Sequence, residues 1–303
     1  MTSLQSPLML ESGNHHSPHL KQIQTYIARL PSLATTAVKV LKTCNNPEAS
    51  ANDLNRMISL DLVLTGQVLK LVNSAYYSLP HPISSLTRAI IMLGINTVKN
   101  LVLSFAILQQ MRHQRKVPAM CVEDFWAHSL CVGVTAKCLA VAKGVSLADQ
   151  EEYFVCGLLH DLGKIPLSDL FPEKCIQALD TAKRSQRALF HAEGVVFGID
   201  HAAVGGMIAE KWQLSPALIQ ALSFHHRPEE AHESNHQIVF IVALADIFAQ
   251  LLQLGPSGVT FASNALCSYL LERVGVDWSF LYDLRDTVLG EINKAKIFLE
   301  MTE

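Results

Sequence analysis

At 303 residues the chain is long enough for one large core or two modest ones. Half of its residues are hydrophobic and 17% are charged, a balance that excludes long disorder, and a formal net charge of -3 supplies no global field for nucleic acid or anionic lipid. Any site for a polyanion must therefore be local.

Residues 1–20 are rich in Ser, His, Pro and Gly and read as a loose tail in which His15, His16 and His19 are incidental. From Leu20 onward apolar residues recur at helical spacing, with Ala34, Val38 and Leu41 on one helix and Leu54, Met57, Ile58 and Leu62 on another. Val63 to Val72 reads as an apolar helix with a polar end at Asn73, Ser74, Tyr76 and Tyr77, followed by a loop stiffened by Pro80 and Pro82. Such a loop joins two helices or, beside a pocket, recognises a ligand. The basic segment Arg112 to Lys116 meets Pro118 and sets a soft boundary. This divides the chain into an N-terminal helical part over 21–113, a second part over 118–254, and C-terminal helices over 255–303 that pack on the second. The basic run is short and lacks interleaved aromatics, so nucleic-acid binding is not expected.

Further along, Ser146 with Asp149 suggests a capping box opening an apolar helix that ends near Gly163 in a left-handed cap. Asp200 suits the cap of a helix starting at His201, and Ser215 with Pro216 opens the next one. A helix from about Asn235 to Leu254 is followed by the turn cluster Gly255-Pro256-Ser257-Gly258, after which Asp277 caps the second of two more helical patterns. Alternating runs bounded by hairpin turns are missing, so the expectation is an all-α, multi-helix bundle with two helical subdomains and no internal repeat.

The seven cysteines, Cys44, Cys121, Cys131, Cys138, Cys156, Cys175 and Cys267, contain no C-x-x-C pair and mostly fall in apolar helical patterns. They read as buried free thiols of a reducing compartment, not as a disulfide framework or a thiolate zinc site. Apolar stretches such as Leu101 to Leu108 and Ile238 to Phe248 are shorter than the ~18 residues of a membrane span, and no signal segment opens the chain. The expectation is a cytoplasmic protein without a membrane partner.

Thirteen histidines are present, and several fall where chemistry needs them. His160-Asp161-Leu162-Gly163-Lys164 closes the almost wholly apolar run Val155 to Leu159, presenting an imidazole, a carboxylate and an ammonium at a helix end. Adjacent His and Asp can ligate one divalent cation if both side chains turn to the same side. Asp124 and His128 are four apart, hence on one face of a helix. His201 starts a helix, His225-His226 ends the next, and Asp246 interrupts the apolar run Ile238 to Phe248, where a lone carboxylate is costly unless paired or metal-bound. Taken singly, each has a plainer use: Asp124 as a helix cap, His128 as a satisfied core histidine, His201 as an exposed first-turn residue, and His191 or His226 as surface groups.

The order His128, His160-Asp161, Lys164, His201, His225-His226, Asp246 resembles the HD phosphohydrolase superfamily, and within it the HD-GYP branch. That resemblance implies one metal held by His128, His160, Asp161 and Asp246, and a second by His201 and His225 with His226 and Asp124. It also implies that Lys164 lies near a substrate phosphate and that Asp161 takes part in the chemistry, the metals polarising a phosphoryl group and activating water. Imidazole and carboxylate without thiolate suit iron or manganese first, with zinc and nickel also compatible, and the donor number suits two divalent ions. After the double histidine, however, the chain reads Arg227-Pro228-Glu229-Glu230-Ala231, without the glutamate and the D-G-x-G-Y-P-like loop of that branch.

The first part resembles another relative. Leu30-Pro31-Ser32-Leu33, Ile58-Ser59-Leu60-Asp61, Leu71-Val72-Asn73-Ser74-Ala75-Tyr76-Tyr77, Ile83-Ser84-Ser85 and Ala89-Ile90-Ile91-Met92-Leu93-Gly94 through Val98-Lys99-Asn100-Leu101 are similar to the HDOD family, over residues 21–226. The resemblance implies a bacterial-type signalling or regulatory protein with a signalling-protein partner, or alternatively a metal-dependent phosphohydrolase or phosphodiesterase with a nucleotide or phosphate ligand.

Overall fold

The periodic apolar runs become helices in the computed structural model, which describes residues 18–44, 46, 48–112, 121–255 and 264–300; no strand occurs among them. The N-terminal helices are α1 (Pro18–Arg29), α2 (Thr35–Cys44), α3 (Ala51–Ile58), α4 (Leu62–Val72), α5 (Leu86–Leu93) and α6 (Ile95–Arg112). The middle of the chain forms α7 (Val122–Ala142), α8 (Gln150–Leu159), α9 (Lys164–Leu170), α10 (Pro172–Ser185), α11 (Leu189–Phe197), α12 (His201–Lys211), α13 (Pro216–Phe224) and α14 (His236–Leu251). It is followed by α15 (Asn264–Val274), α16 (Trp278–Ala295) and α17 (Ile297–Glu300). The expected boundary at 113–118 and most of the Gly255–Gly258 turn lie outside the described residues, as do His15 and His16.

Local chemistry sets the helix starts. Ser50 and Asp53 form a reciprocal capping box on α3, and Asp61, Asp200, Ser215 and Asp277 each accept from a backbone N–H in the first turn of α4, α12, α13 and α16. Three expectations need correction. Ser146 donates to the Asp149 carboxylate at 2.6 Å instead of capping a backbone N–H, so no capping box opens α8. The tail ends earlier than residue 20, because α1 begins at Pro18 and carries His19 edge-on against Phe171, with ring centroids 5.1 Å apart. Gly163 is right-handed, at φ -67° and ψ -15°. Its lack of a side chain serves close approach, since a Cβ there would lie 2.0 Å from the His201 carbonyl oxygen and 2.6 Å from the Gly205 nitrogen.

The centre of the molecule is the hairpin of α7 and α8, with α14 packed on both. Gly133 and Gly157 face each other where the two helices cross, and a Cβ on Gly157 would lie 2.7 Å from the Gly133 Cα. Twelve consecutive residues of α14, Ile238 to Ala249, are buried. α6 covers α8, α1 covers α12, and the Trp212 indole donates to the Pro31 carbonyl at 3.2 Å, so that one apolar cluster runs from Ile23 to Phe298. In the loop after α4, the Asn73 amide donates to the Ile83 carbonyl and accepts from its N–H, both at 2.7 Å, which folds the Pro80–Pro82 segment back on the helix end. The expectation that no apolar segment reaches membrane-span length is also corrected. Val122–Ala142 and Glu233–Leu251 are long and apolar enough by length and composition, with 72% and 67% of those windows buried inside the fold.

Of the described cysteines Cys131, Cys156 and Cys267 are buried, Cys121 is exposed, and none is bridged.

The glycine crossing makes a direct prediction. Gly157→Ala forces the α7 and α8 backbones apart and should destabilise the fold by about 2–3 kcal/mol. Gly290→Ala, in an open stretch of α16 with nothing within 4 Å of the added carbon, should instead stabilise it by about 0.5–1 kcal/mol. Chemical denaturation of the two variants beside the parent measures both signs.

Candidate metal centre

Five helices bring their polar groups to one place. His128 stands on the second turn of α7, His160 and Asp161 on the turn that ends α8, His201 at the first position of α12, His225 and His226 just past α13, and Asp246 within α14. His128, His160, Asp161, His201, His225 and Asp246 are each at most 4% exposed, and His226 is half-buried.

The donors fall into two groups that share Asp161. In the first, His128 Nε2 lies 3.0 Å from Asp246 Oδ1 and 3.8 Å from Asp161 Oδ2, and His160 Nε2 lies 3.4 Å from Asp161 Oδ2 and 3.7 Å from Asp246 Oδ1. In the second, His201 Nε2 is 3.1 Å and His225 Nε2 3.8 Å from Asp161 Oδ1, and His226 Nε2 is 2.9 Å from His201 Nε2. Ligand atoms of Asp161, His201, His225 and His226, and those of His128, His160 and Asp161, all lie within 4.8 Å of one another in their group.

Which nitrogen carries the proton follows from what lies behind each ring. The His160 Nδ1–H donates to the Gly157 carbonyl at 2.7 Å, the His225 Nδ1–H points between the carbonyls of Ala221 and Leu222 at 3.2 and 3.1 Å, and His201 Nδ1 meets Glu193 Oε2 at 2.5 Å. A neutral imidazole has one N–H, so in their neutral forms His160 and His225 turn a bare Nε2 lone pair inward, while His201 Nε2 meets Asp161 Oδ1 at 3.1 Å. The Nε2 atoms of His160 and His225 are buried with no hydrogen-bond partner. Lone pairs converging on a carboxylate repel it unless positive charge lies between them. A Nδ1–H anchored on a carbonyl or carboxylate, with Nε2 directed inward, is also how metal-ligating histidines are held. The residues present therefore fit a divalent cation. His128 differs, its Nδ1 being buried without a hydrogen-bond partner.

The electrostatics show the same demand for positive charge. Burial opposes ionisation of Asp161, yet His160, Lys164 and His201 hold its carboxyl well below the usual range. Burial likewise opposes ionisation of Asp246, which His128 and His160 hold well below its ordinary value. Burial disfavours a charged His201, but Glu193 and Asp161 raise it to about 9, whereas burial together with His160 and His201 pushes His225 down to about 3. Protons on part of the histidine set thus balance the buried carboxylates in the absence of a cation.

Of the residues singled out from the sequence, Asp124 is not brought in. It lies one turn before His128 on α7, and no hydrogen bond or ion pair joins it to the others among the described residues. Its backbone instead abuts Gly255, where a Cβ would lie 2.3 Å from the Asp124 carbonyl. Spacing of four put both residues on one face, but the turn between them, about 6 Å of rise, carries Asp124 past the cluster. Lys164 is placed at the site, its Nζ 2.6 Å from Asp161 Oδ2. His191 packs tilted against Phe190, with ring centroids 3.9 Å apart and planes at 33°, and stays outside the ligand groups.

Sequence reasoning missed Glu193 and Gln250. Glu193 is 4% exposed and takes both the backbone N–H of His201, at 2.9 Å, and its ring nitrogen. Gln250 donates to Asp246 Oδ1 at 2.8 Å from one turn along α14. A glutamate inside the apolar run Leu189–Phe197 was a signal of the same kind as Asp246.

Comparison with known proteins places the chain. The model of the HDOD domain matches residues 30–228. An uncharacterized protein of Treponema pallidum (strain Nichols) is 26% identical over 226 residues, 74% of this chain, and the chain spans 42% of that relative's length. Among solved structures, an HDOD domain protein of unknown function from Geobacter sulfurreducens superposes with a TM-score of 0.73 at 24% identity, covering 92% of this chain and 98% of its own. A protein provisionally named a phosphohydrolase, from Shewanella amazonensis SB2B, superposes with a TM-score of 0.70 at 22% identity, covering 95% and 99%. The all-helical fold of this chain is the fold of these structures.

The role of Glu193 is open to test. Glu193→Gln keeps the shape but weakens the acceptor behind His201, and should lower divalent-metal affinity about 10–100-fold. Competition titration against a chromogenic chelator reads this, with exposed Glu230→Gln expected to match the parent.

Proposed function

The chain belongs to the HDOD family, and from that premise we propose that it is a signal-transduction protein whose helical core holds divalent metal as a fixed centre, the signal being passed by helix packing to a partner protein. His128, His160, Asp161 and Asp246 would hold one ion, and Asp161, His201, His225 and His226 a second. Iron or manganese suits this donor set best, and zinc or nickel is compatible with it. When bound, the metal supplies charge neutralisation for the buried carboxylates and a Lewis acid for any phosphoryl oxygen within reach.

The observation that carries the regulatory reading is burial. Only His226 among the donors has appreciable exposure, and its open face is covered by Phe190, stacked on it with ring centroids 4.6 Å apart and planes at 13°. Closed donor sets suit structural metal, whereas catalytic sites keep a position open. Where the HD-GYP branch carries its substrate-recognition loop, this chain has Arg227, which donates to Asp200 at 2.7 Å and so ties the segment after α13 to the cap of α12. The chain's own residues thus hold the centre shut and brace its surroundings.

A second reading, metal-dependent phosphohydrolase or phosphodiesterase action on a nucleotide or cyclic nucleotide, is favoured by one observation. Lys164, whose side chain is 11% exposed, brings an ammonium to the edge of the centre, where it would meet a phosphate while Asp161 holds the ions. The provisional name of the Shewanella relative agrees with that reading.

Protein purified without chelators and analysed for metal should carry about two divalent ions per chain, and Asp161→Ala should carry fewer than one. Presented with a panel of nucleotides and cyclic dinucleotides, the loaded protein should hydrolyse none faster than Asp161→Ala does. Turnover present in the parent and lost in that variant would replace the regulatory reading with the hydrolase one.

A further inference from the structure

On the far side of α7 from the metal centre lies a cavity of about 320 Å³ between α7 and α16. Nine residues separate His128 from Lys137, two and a half helical turns, so the two side chains leave α7 on opposite faces. The cavity is walled by Val134 and Leu284, with Lys137 and Tyr76 on one side and Thr287 and Glu291 on the other. It therefore lies where three stretches of the chain meet, since Tyr76 follows α4, Lys137 belongs to α7 and Thr287 to α16.

Its polar groups are built in. The Lys137 ammonium is paired with Glu151, which is 2% exposed, and donates to the Tyr76 hydroxyl at 3.0 Å. It also lies over the Tyr76 ring, 4.3 Å from the centroid. Tyr76 is itself fixed, packed edge-on against Phe298 at 5.3 Å and tilted on Phe154 at 5.7 Å. An ammonium has three N–H bonds; Glu151 and Tyr76 take two, and no protein acceptor takes the third among the described residues. Across the cavity Glu291 accepts from Lys294 at 2.7 Å and keeps lone pairs to spare. The charges of Lys137 and Glu151 cancel, as do those of Lys294 and Glu291. The cavity is thus largely apolar and neutral overall, and among its few polar groups are the Lys137 donor and the Glu291 acceptor, beside the Thr287 hydroxyl and the Cys138 thiol.

We infer that this cavity is a small-molecule site for a neutral, largely apolar ligand bearing a single hydroxyl or comparable head group, which accepts from Lys137 and donates to Glu291. The apolar walls take the body of the molecule, as in ligand pockets generally, where a few placed polar groups set orientation. An anionic head is disfavoured, because Glu151 and Glu291 flank the one cation. The site needs neither the metal nor any reaction at it, so it stands or falls apart from the function proposed above.

Calorimetric titration of the full chain with naphthol, naphthalene and naphthoate tests the inference. Naphthol should bind at one saturable site, about tenfold more tightly than either naphthalene, which lacks the head group, or naphthoate, which carries a charge. Thr287→Trp, a change at an exposed position on the cavity wall, should abolish naphthol binding by filling the space. The paired substitution Lys137→Met with Glu151→Gln, which avoids stranding a buried carboxylate, should weaken naphthol about tenfold and leave naphthalene unchanged. Should the double variant fail to fold, Thr287→Trp decides alone. Absence of saturable naphthol binding, binding indifferent to Thr287→Trp, or tighter binding of naphthoate would each overturn the inference.

Discussion

One buried carboxylate governs the arrangement of this molecule. Asp161 is 1% exposed, and both of its oxygens face nitrogen: Oδ2 meets Lys164, His160 and His128, and Oδ1 meets His201 and His225. A charge so far from water is costly unless matched, and the match here comes from four different helices and a turn. The ends of α8 and α13, the start of α12 and the second turn of α7 must therefore meet at Asp161. The packing that brings them there is specified by residues that tolerate little else. Gly163 lets the turn carrying Asp161 touch the backbone of α12, and Gly157 lets α8 close on α7.

Much of this was legible in the sequence, for identifiable reasons. Helices announce themselves by apolar period and by caps, so Asp200, Ser215 and Asp277 could be placed at helix starts from residue type and position alone. Histidine and aspartate inside apolar runs stand out because burial makes them expensive, which is why His160, Asp161 and Asp246 were each legible, whereas their grouping came from the resemblance to the HD order. Illegible features depended on three-dimensional approach. Gly163 looks like a left-handed cap until the backbone of His201 is seen against it. Asp124 has the right spacing from His128 and the wrong height along the axis. Glu193 belongs to the centre through α11 and α12 meeting at a bend of 80°, an angle no local pattern encodes. The apolar lengths of α7 and α14 similarly could not be told from membrane-crossing ones until their neighbours were known.

What lies behind the imidazoles decides which of their nitrogens faces the buried carboxylates. Had the ring nitrogens facing the protein been acceptors, neutral His160 and His225 would turn N–H groups inward toward the buried carboxylates, with no need of a cation. Instead, backbone carbonyls at Gly157, Ala221 and Leu222, like the carboxylate of Glu193 behind His201, accept from the Nδ1 side of the rings. The carbonyls lie three or four residues before their histidines, in the last turns of α8 and α13, where helix carbonyls have lone pairs to spare for a side-chain N–H. A histidine just past a helix end is therefore pre-set to present Nε2 outward, which gives a physical reason for finding His160 and His225 at those two positions.

The α7–α8 hairpin gives the fold its long lever. Its open end carries His128 opposite His160, its closed end carries Lys137 opposite Glu151, and the two pairs are each nine residues apart on their helices, about 13 Å of axial rise. Between them Gly133 and Gly157 put backbone against backbone with no side chain interposed. Side chains at a helix crossing can absorb a small displacement by changing rotamer, but two backbones in contact have no such freedom. A tilt imposed at one end of the hairpin must therefore appear at the other as rigid-body movement. The closed end touches the loop after α4 through Tyr76 and, through the cavity wall, α16; the open end touches α12, α13 and α14 through His201, His225 and Asp246. The hairpin is thus stiff in its middle and tied to different parts of the chain at its two ends.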